Sequence, residues 1–303
     1  MKKVLLTGAT GLIGKRIADK LIRRGDEVTI FTRSVDKAKQ IIPGAAEYVS
    51  WNLNRDDWQS SLEGTDAVIH LAGENVMAKR WNKEHKENIL NSRVDGTRAL
   101  VNAIGHAEKK PKVFISASAV GFYGSSEQPV TEESLPGKDF LADVVSAWEN
   151  ETKKVDEYKV RRVNIRTGIV LDKNEGALAQ MITPFKYFIG GPLGTGEQWF
   201  PWIHIDDTVG IYLFSLDNEN INGILNAVSP NPLRMEEFCK TLGALMHRPS
   251  LFKVPAFILK LIFGEAADVL LTGAQVIPER TMELGYKFRF EKEEDALIDL
   301  LNK

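Results

Sequence analysis

The chain has 303 residues, 43% of them hydrophobic and 26% charged, an ordinary globular balance that allows one large domain or two smaller ones. With 39 basic against 41 acidic residues, it has no basic surplus to hold a polyanion. Nucleic acid and the membrane surface are therefore excluded as expected partners. Cys239 is the single cysteine, which rules out an intrachain disulfide and a thiolate metal cluster and suits a reducing, cytoplasmic compartment. The opening MKKVLLTGATGLIG carries two lysines and an apolar run, but the run is too short for a signal peptide and enters a glycine motif. The late apolar stretch over 254–263 is interrupted by Lys260 and is too short to span a bilayer.

In chain order, VLLT at 4–7 reads as a short apolar strand. After a glycine turn, Ile13, Ile17, Leu21 and Ile22 recur at helical spacing. They predict a helix over 13–24, ended by Gly25. VTIF at 28–31 is the next strand. Further strands are expected at 67–71, 112–116 and 162–171, and helices at 83–106 and 143–158. Strands alternating with helices imply parallel pairing and right-handed crossovers, hence an α/β protein built on a doubly wound sheet of Rossmann type. Residues 176–196 are rich in glycine and apolar side chains, and Pro230 and Pro232 mark a break. From Arg248 a smaller, mostly helical, substrate-side region follows, with a last helix over 295–301. We divide the chain into a dinucleotide-binding domain over 1–230 and a C-terminal domain over 248–298.

Gly8, Gly11 and Gly14 are spaced G-x-x-G-x-x-G between the first strand and the first helix. A pyrophosphate sits on such a helix N-terminus, where backbone N–H groups point at it and any side chain on the turn would block its approach. Three chance glycines in a tight turn are the bland alternative; their place between strand and helix argues against it. The turn nominates Gly8, Thr10, Gly11, Leu12, Ile13 and Gly14 as cofactor contacts. An NAD site usually ends its second strand on an acidic residue. Here that strand ends on Thr32-Arg33, with Lys37 one turn on. A guanidinium pairs well with the 2′-phosphate of NADP, so the expected cofactor is NADP(H).

TGATGLIG, HLAG at 70–73, SASAVGFYG at 116–124 and PWIHIDD at 201–207 resemble the extended short-chain dehydrogenase/reductases, the superfamily of NAD-dependent epimerases and dehydratases. A finer resemblance is to its atypical, YfcH-like branch of epimerase-family proteins. GEN at 73–75, Arg80-Trp81, Ser92-Arg93 and GGPLGTGEQWFPWIHIDD carry it, together with a C-terminal domain of unknown function matched over 254–288. The resemblance implies that Leu71, Ala72 and Gly73 pass the adenine side of the cofactor. It places Arg93 where extended members usually have an asparagine, as a further cofactor contact. It puts the catalytic serine at Ser118, or at Ala119 when counted without gaps from Tyr123.

One departure limits what the resemblance carries. The superfamily's acid/base is a tyrosine four residues before a lysine, which lowers the phenol pKa. None of the six tyrosines here has a lysine four residues on, and Val144 and Trp148 stand where the pair belongs. Ser118 and Tyr123 are the expected catalytic residues, with Glu74 and His204 as other proton acceptors. More often a motif such as PWIHIDD is structural, its aspartate capping the helix that begins near Thr208. Trp81, Trp199 and Trp202 are candidates either for an apolar substrate pocket or for the core, and Cys239 for the core. The other histidines show no metal spacing. The expectation is an NADP(H)-dependent oxidoreductase or epimerase acting on a small sugar- or nucleotide-like molecule. A protein that holds NADP(H) without turnover is the alternative.

Overall fold

The computed structural model of the chain describes residues 1–302. The first half contains β1 (Lys3–Thr7), α1 (Leu12–Arg23), β2 (Glu27–Thr32), α2 (Val35–Ile41), β3 (Glu47–Ser50), β4 (Ala67–His70), α3 (Lys83–His106), β5 (Val113–Ala119), β6 (Ser126–Val130) and α4 (Phe140–Lys153). The second half contains β7 (Arg161–Thr167), β8 (Ile169–Leu171), α5 (Gly176–Lys186), β9 (Trp202–His204), α6 (Ile205–Asp217), β10 (Gly223–Ala227) and α7 (Met235–Met246). It closes with α8 (Ala256–Phe263), α9 (Asp268–Leu271), β11 (Ala274–Val276), α10 (Glu279–Glu283) and α11 (Glu293–Asn302).

Seven strands form one sheet in the order β10-β7-β5-β4-β1-β2-β3, and every neighbouring pair is parallel. Alternate residues feed two cores. Val4, Leu6, Ile69 and Ile115 face one side with Ile17 and Leu21 of α1, while Leu5, Val68 and Phe114 face the other with Leu100 and Ile104 of α3. Burial on both faces is why the strands read as near-continuous apolar runs. Strand order reverses between β1 and β4, which opens a crevice at their carboxyl ends. This is the doubly wound sheet expected from the sequence.

The structure changes several boundaries. The strand expected over 162–171 is two strands. β7 stays in the main sheet, and β8 leaves it to pair with β9. Gly168 makes the break, because a Cβ there would lie 2.1 Å from the Pro201 carbonyl oxygen. The helix expected over 143–158 begins at Phe140, where the Asp139 carboxylate accepts from Ala142 N at 2.9 Å. It gives way to a tighter 3-10 turn over Lys154–Tyr158. Asp206 is not the cap of α6: the helix starts at Ile205, and His204 Nδ1 accepts from Asp206 N at 3.0 Å.

The region after Arg248 also contains a strand, β11, which pairs with β6. Asp207 ties this region down. Its carboxylate accepts from Arg289 N at 2.8 Å, Phe290 N at 2.9 Å and the Tyr286 hydroxyl at 3.1 Å. Glu132, also buried, accepts from Asn226 N at 2.9 Å and Arg280 N at 3.2 Å, joining β10 to α10.

Candidate dinucleotide and substrate site

Close approach dictates the turn after β1. Gly8 has φ of 67°, and a Cβ on it would lie 2.7 Å from the Leu71 carbonyl carbon. A Cβ on Gly14 would lie 2.3 Å from Gly8 O, so α1 can pack under the turn only with glycine there. Gly11 is different: its nearest neighbour for a Cβ is Gly8 O at 3.3 Å, and it faces the cleft. Thr7 joins the ends of β1 and β4. Its Oγ1 accepts from Leu71 N and Ala72 N, each at 3.2 Å, and bonds His70 Nδ1 at 2.7 Å. Burial, aided by the Arg93 charge, holds the His70 pKa down to about 3, so the imidazole is neutral.

These strand ends enclose a cleft of about 480 Å³. Of the residues expected to hold a dinucleotide, Gly8, Thr10, Gly11, Thr32, Arg33, Leu71, Ala72 and Gly73 line it. Gly14 lies beneath the turn, and Leu12 and Ile13 are half-buried in the first turn of α1 against the core. Arg93 lies behind Gly73, where a Cβ on the glycine would meet its Cζ at 3.3 Å. Arg93 Nη1 donates to the carbonyl oxygens of Glu74 and Ile89, both at 3.0 Å. Its guanidinium sits 5.2 Å from the Trp148 ring, and burial pulls its pKa down to about 10. The N-terminus of α1 has no acidic residue in its first turn, which leaves its positive end uncompensated.

Arg33 and Lys37 are exposed at the cleft mouth, and among the described residues neither forms an ion pair. Sequence reasoning missed Phe31, Trp51, Ser92 and Gly96 as lining residues. Trp51 follows β3, a four-residue strand too short to leave a periodic signal. Its ring contacts Phe31 and His70 at 6.3 and 5.9 Å between centroids.

At the carboxyl ends of β5 and β7 lies a second polar group. Ser118 and Arg166 are register partners. Ser118 Oγ donates to Glu149 Oε1 at 2.6 Å, and the same carboxylate takes Arg166 Nε at 2.8 Å and Nη2 at 2.7 Å. Arg166 is buried with its guanidinium 3.4 Å from the Phe122 ring centroid. Neither Glu149 nor Arg166 was expected from the sequence, because α4 and β7 meet only in three dimensions. Tyr123 is buried. Its hydroxyl donates to Asn226 Oδ1 at 2.7 Å and accepts from Arg166 Nη1 at 3.0 Å. Burial pushes its pKa up to about 12, opposite to what a tyrosinate base requires.

Val144 and Trp148, at the places of the absent pair, are both buried, and Trp148 Nε1 donates to Thr97 Oγ1 at 2.9 Å. The tryptophans do not share a pocket. Trp202 is core, Trp199 lies 3.9 Å beneath the Arg234 guanidinium, and Trp81 packs edge-on to Phe140. Glu74, a candidate proton acceptor, lines the dinucleotide cleft, and its N donates to Ser92 Oγ at 3.0 Å. Cys239 is buried with its thiol pKa pushed up to about 12.

Residues 4–227 match the NAD dependent epimerase/dehydratase family, and residues 254–300 match a domain of unknown function, DUF1731. The chain belongs to the NAD dependent epimerase/dehydratase family. A chloroplastic epimerase family protein SDR39U1 homolog of Arabidopsis thaliana is 43% identical over 97% of this chain and 85% of its own length. The mouse epimerase family protein SDR39U1 is 36% identical over 99% of both chains. The crystal structure of human SDR39U1 (isoform 2) with NADPH superposes with a TM-score of 0.89 at 34% identity, covering 99% of each chain. UDP-glucuronic acid 4-epimerase of Bacillus cereus, solved with UDP-glucuronic acid and NAD, has a TM-score of 0.80 at 18% identity, over 99% of this chain and 98% of that one. At that identity the likeness is one of fold. Among the described residues no helix is long and apolar enough to cross a membrane.

Proposed function

We propose that the chain binds NADP(H) in the cleft between β1, β2 and β4 and carries out redox or epimerase chemistry on a small sugar- or nucleotide-like molecule. The observation that carries the cofactor reading is Arg33. It lines the cleft where β2 ends, beside Thr32 instead of an acid, and with Lys37 it offers positive charge to a 2′-phosphate. The glycine turn and the free N–H end of α1 receive the pyrophosphate. The human relative solved with NADPH supports this choice. When bound, the nicotinamide supplies hydride transfer.

The protein's own part is to position the substrate and take a proton. We place that task on Ser118. Its hydroxyl contacts the substrate's hydroxyl, accepts that proton and releases its own to Glu149, whose orientation Arg166 holds. Tyr123, whose hydroxyl accepts from Arg166, acts through that arginine as a positioning residue. The test is a panel of nucleotide sugars and small carbonyls with NADP+ and NADPH. Turnover that falls at least about 100-fold in Ser118→Ala and Glu149→Gln, with cofactor affinity retained, supports the assignment. Undiminished turnover in both variants contradicts it. Tight NADPH binding with no turnover favours the non-catalytic reading, which the lack of a tyrosine–lysine pair supports.

A further inference from the structure

An apolar surface lies outside the cleft. Tyr187, Phe188 and Ile189 follow α5, Leu251 and Phe252 precede α8, and Phe257, Leu261 and Ile262 stand on α8. All eight are between 52% and 79% exposed. The first two groups touch: Phe252 N donates to Gly190 O at 3.4 Å, and the Arg248 guanidinium lies 4.2 Å from the Phe188 ring. Val254 continues the contact by donating to Pro192 O at 2.9 Å, and Pro255 then opens α8. α8 is apolar on its outer as well as its inner face, unlike an ordinary surface helix. Leu259 is its one buried residue, while Phe257 and Leu261, one turn apart, face outward.

The charge pattern of these segments is also unusual. Between Glu237 and Glu265 there is no acidic residue, while Lys240, Arg248, Lys253 and Lys260 are present; between Glu175 and Glu197 the only charge is Lys186. Each apolar group thus has a base beside it. Glu236 lies 3.1 Å from Lys240 and 3.7 Å from Lys253, and Asp268 lies 3.7 Å from Lys260; these pairs are largely exposed and weak, and among the described residues Lys186 and Arg248 form no ion pair.

We propose that the chain docks peripherally on an anionic lipid surface through residues 186–189, residues 248–253 and the outer face of α8. Exposed aromatic and aliphatic side chains insert at the headgroup boundary, while neighbouring lysines and arginine reach the phosphates. A second copy of the chain fits this surface less well, since a symmetric pair would gather the unpaired Lys186 and Arg248 of both copies at one interface. A nucleic acid would leave the apolar side chains without a role. This proposal replaces the expectation, drawn from net charge, that no membrane surface is involved.

The test is co-sedimentation of the full chain with phosphatidylcholine vesicles, with and without phosphatidylserine, together with light scattering after gel filtration. Binding to the phosphatidylserine vesicles alone, weakened by salt, is expected. It should fall about ten-fold or more in the double variant Phe257→Ser/Leu261→Ser and also in Lys253→Glu/Lys260→Glu, with NADPH affinity unchanged in both. Because the substituted side chains are exposed, retained cooperative unfolding separates loss of docking from loss of fold. No binding at low salt would overturn the proposal. So would a dimer that dissociates in Phe257→Ser/Leu261→Ser, because the face would then belong to a second copy.

Discussion

Ser118 and Arg166 meet on one carboxylate: Ser118 Oγ donates to Glu149 Oε1 at 2.6 Å, and Arg166 Nε reaches the same oxygen at 2.8 Å. Both the serine and the arginine are buried. Removing the carboxylate charge therefore leaves a cation without its partner. Glu149→Gln should cost about 3–5 kcal/mol. The double variant Glu149→Gln/Arg166→Met should recover part of that loss, because the stranded charge is gone. Urea unfolding of the two singles and the double measures the coupling. Strict additivity would show that the pair is not coupled.

Two glycines three residues apart should behave oppositely. Gly14→Ala forces a methyl carbon to within 2.3 Å of Gly8 O, and the backbone on both sides must move. A loss of about 3 kcal/mol or more is expected, visible as a lower melting temperature. Gly11→Val keeps the fold, since a Cβ there meets Gly8 O at only 3.3 Å, but places a branched side chain in the cleft and abolishes NADPH binding. Normal NADPH binding by Gly11→Val would remove the pyrophosphate from this turn.

His70 should contribute to acid sensitivity. Burial, with the Arg93 charge, lowers its pKa from 6.5 to about 3. Below pH 6.5 the unfolded chain takes up a proton that the native imidazole refuses. The stabilisation is complete above that pH and declines as pH falls toward 3, by about 1.4 kcal/mol per pH unit. His70→Asn is expected to be less stable at neutral pH, because the bonds to Thr7 and Thr97 are disturbed, but to lose stability less steeply on acidification. Parallel curves of unfolding free energy against pH for parent and variant would contradict this.

Much of the fold was legible because buried parallel strands announce themselves. Leu5, Leu6, Val68, Ile69, Phe114 and Ile115 are apolar on both faces. The glycine turn was legible because Gly8 and Gly14 are required by local sterics. Contacts between segments distant in sequence were not. Glu149 and Arg166 lie 17 residues apart on α4 and β7, and nothing in either segment says that they face each other. The break at Gly168 was hidden for the same reason, its cause being Pro201, which lies on a later segment. The capping role fell to His204 instead of Asp206 because a histidine Nδ1 accepts as a carboxylate would.

The central claim is that Arg33 selects NADP(H), and calorimetric titration of NADPH and NADH into the parent protein and Arg33→Ala tests it most directly. Arg33 is exposed on the cleft wall, so the substitution should not disturb folding. The parent should bind NADPH more tightly than NADH, and Arg33→Ala should lose about 1–3 kcal/mol of NADPH binding, as expected for one charge-assisted pair, while its NADH affinity hardly changes. Equal affinities of the parent for the two cofactors, or an unchanged preference in Arg33→Ala, would contradict the account.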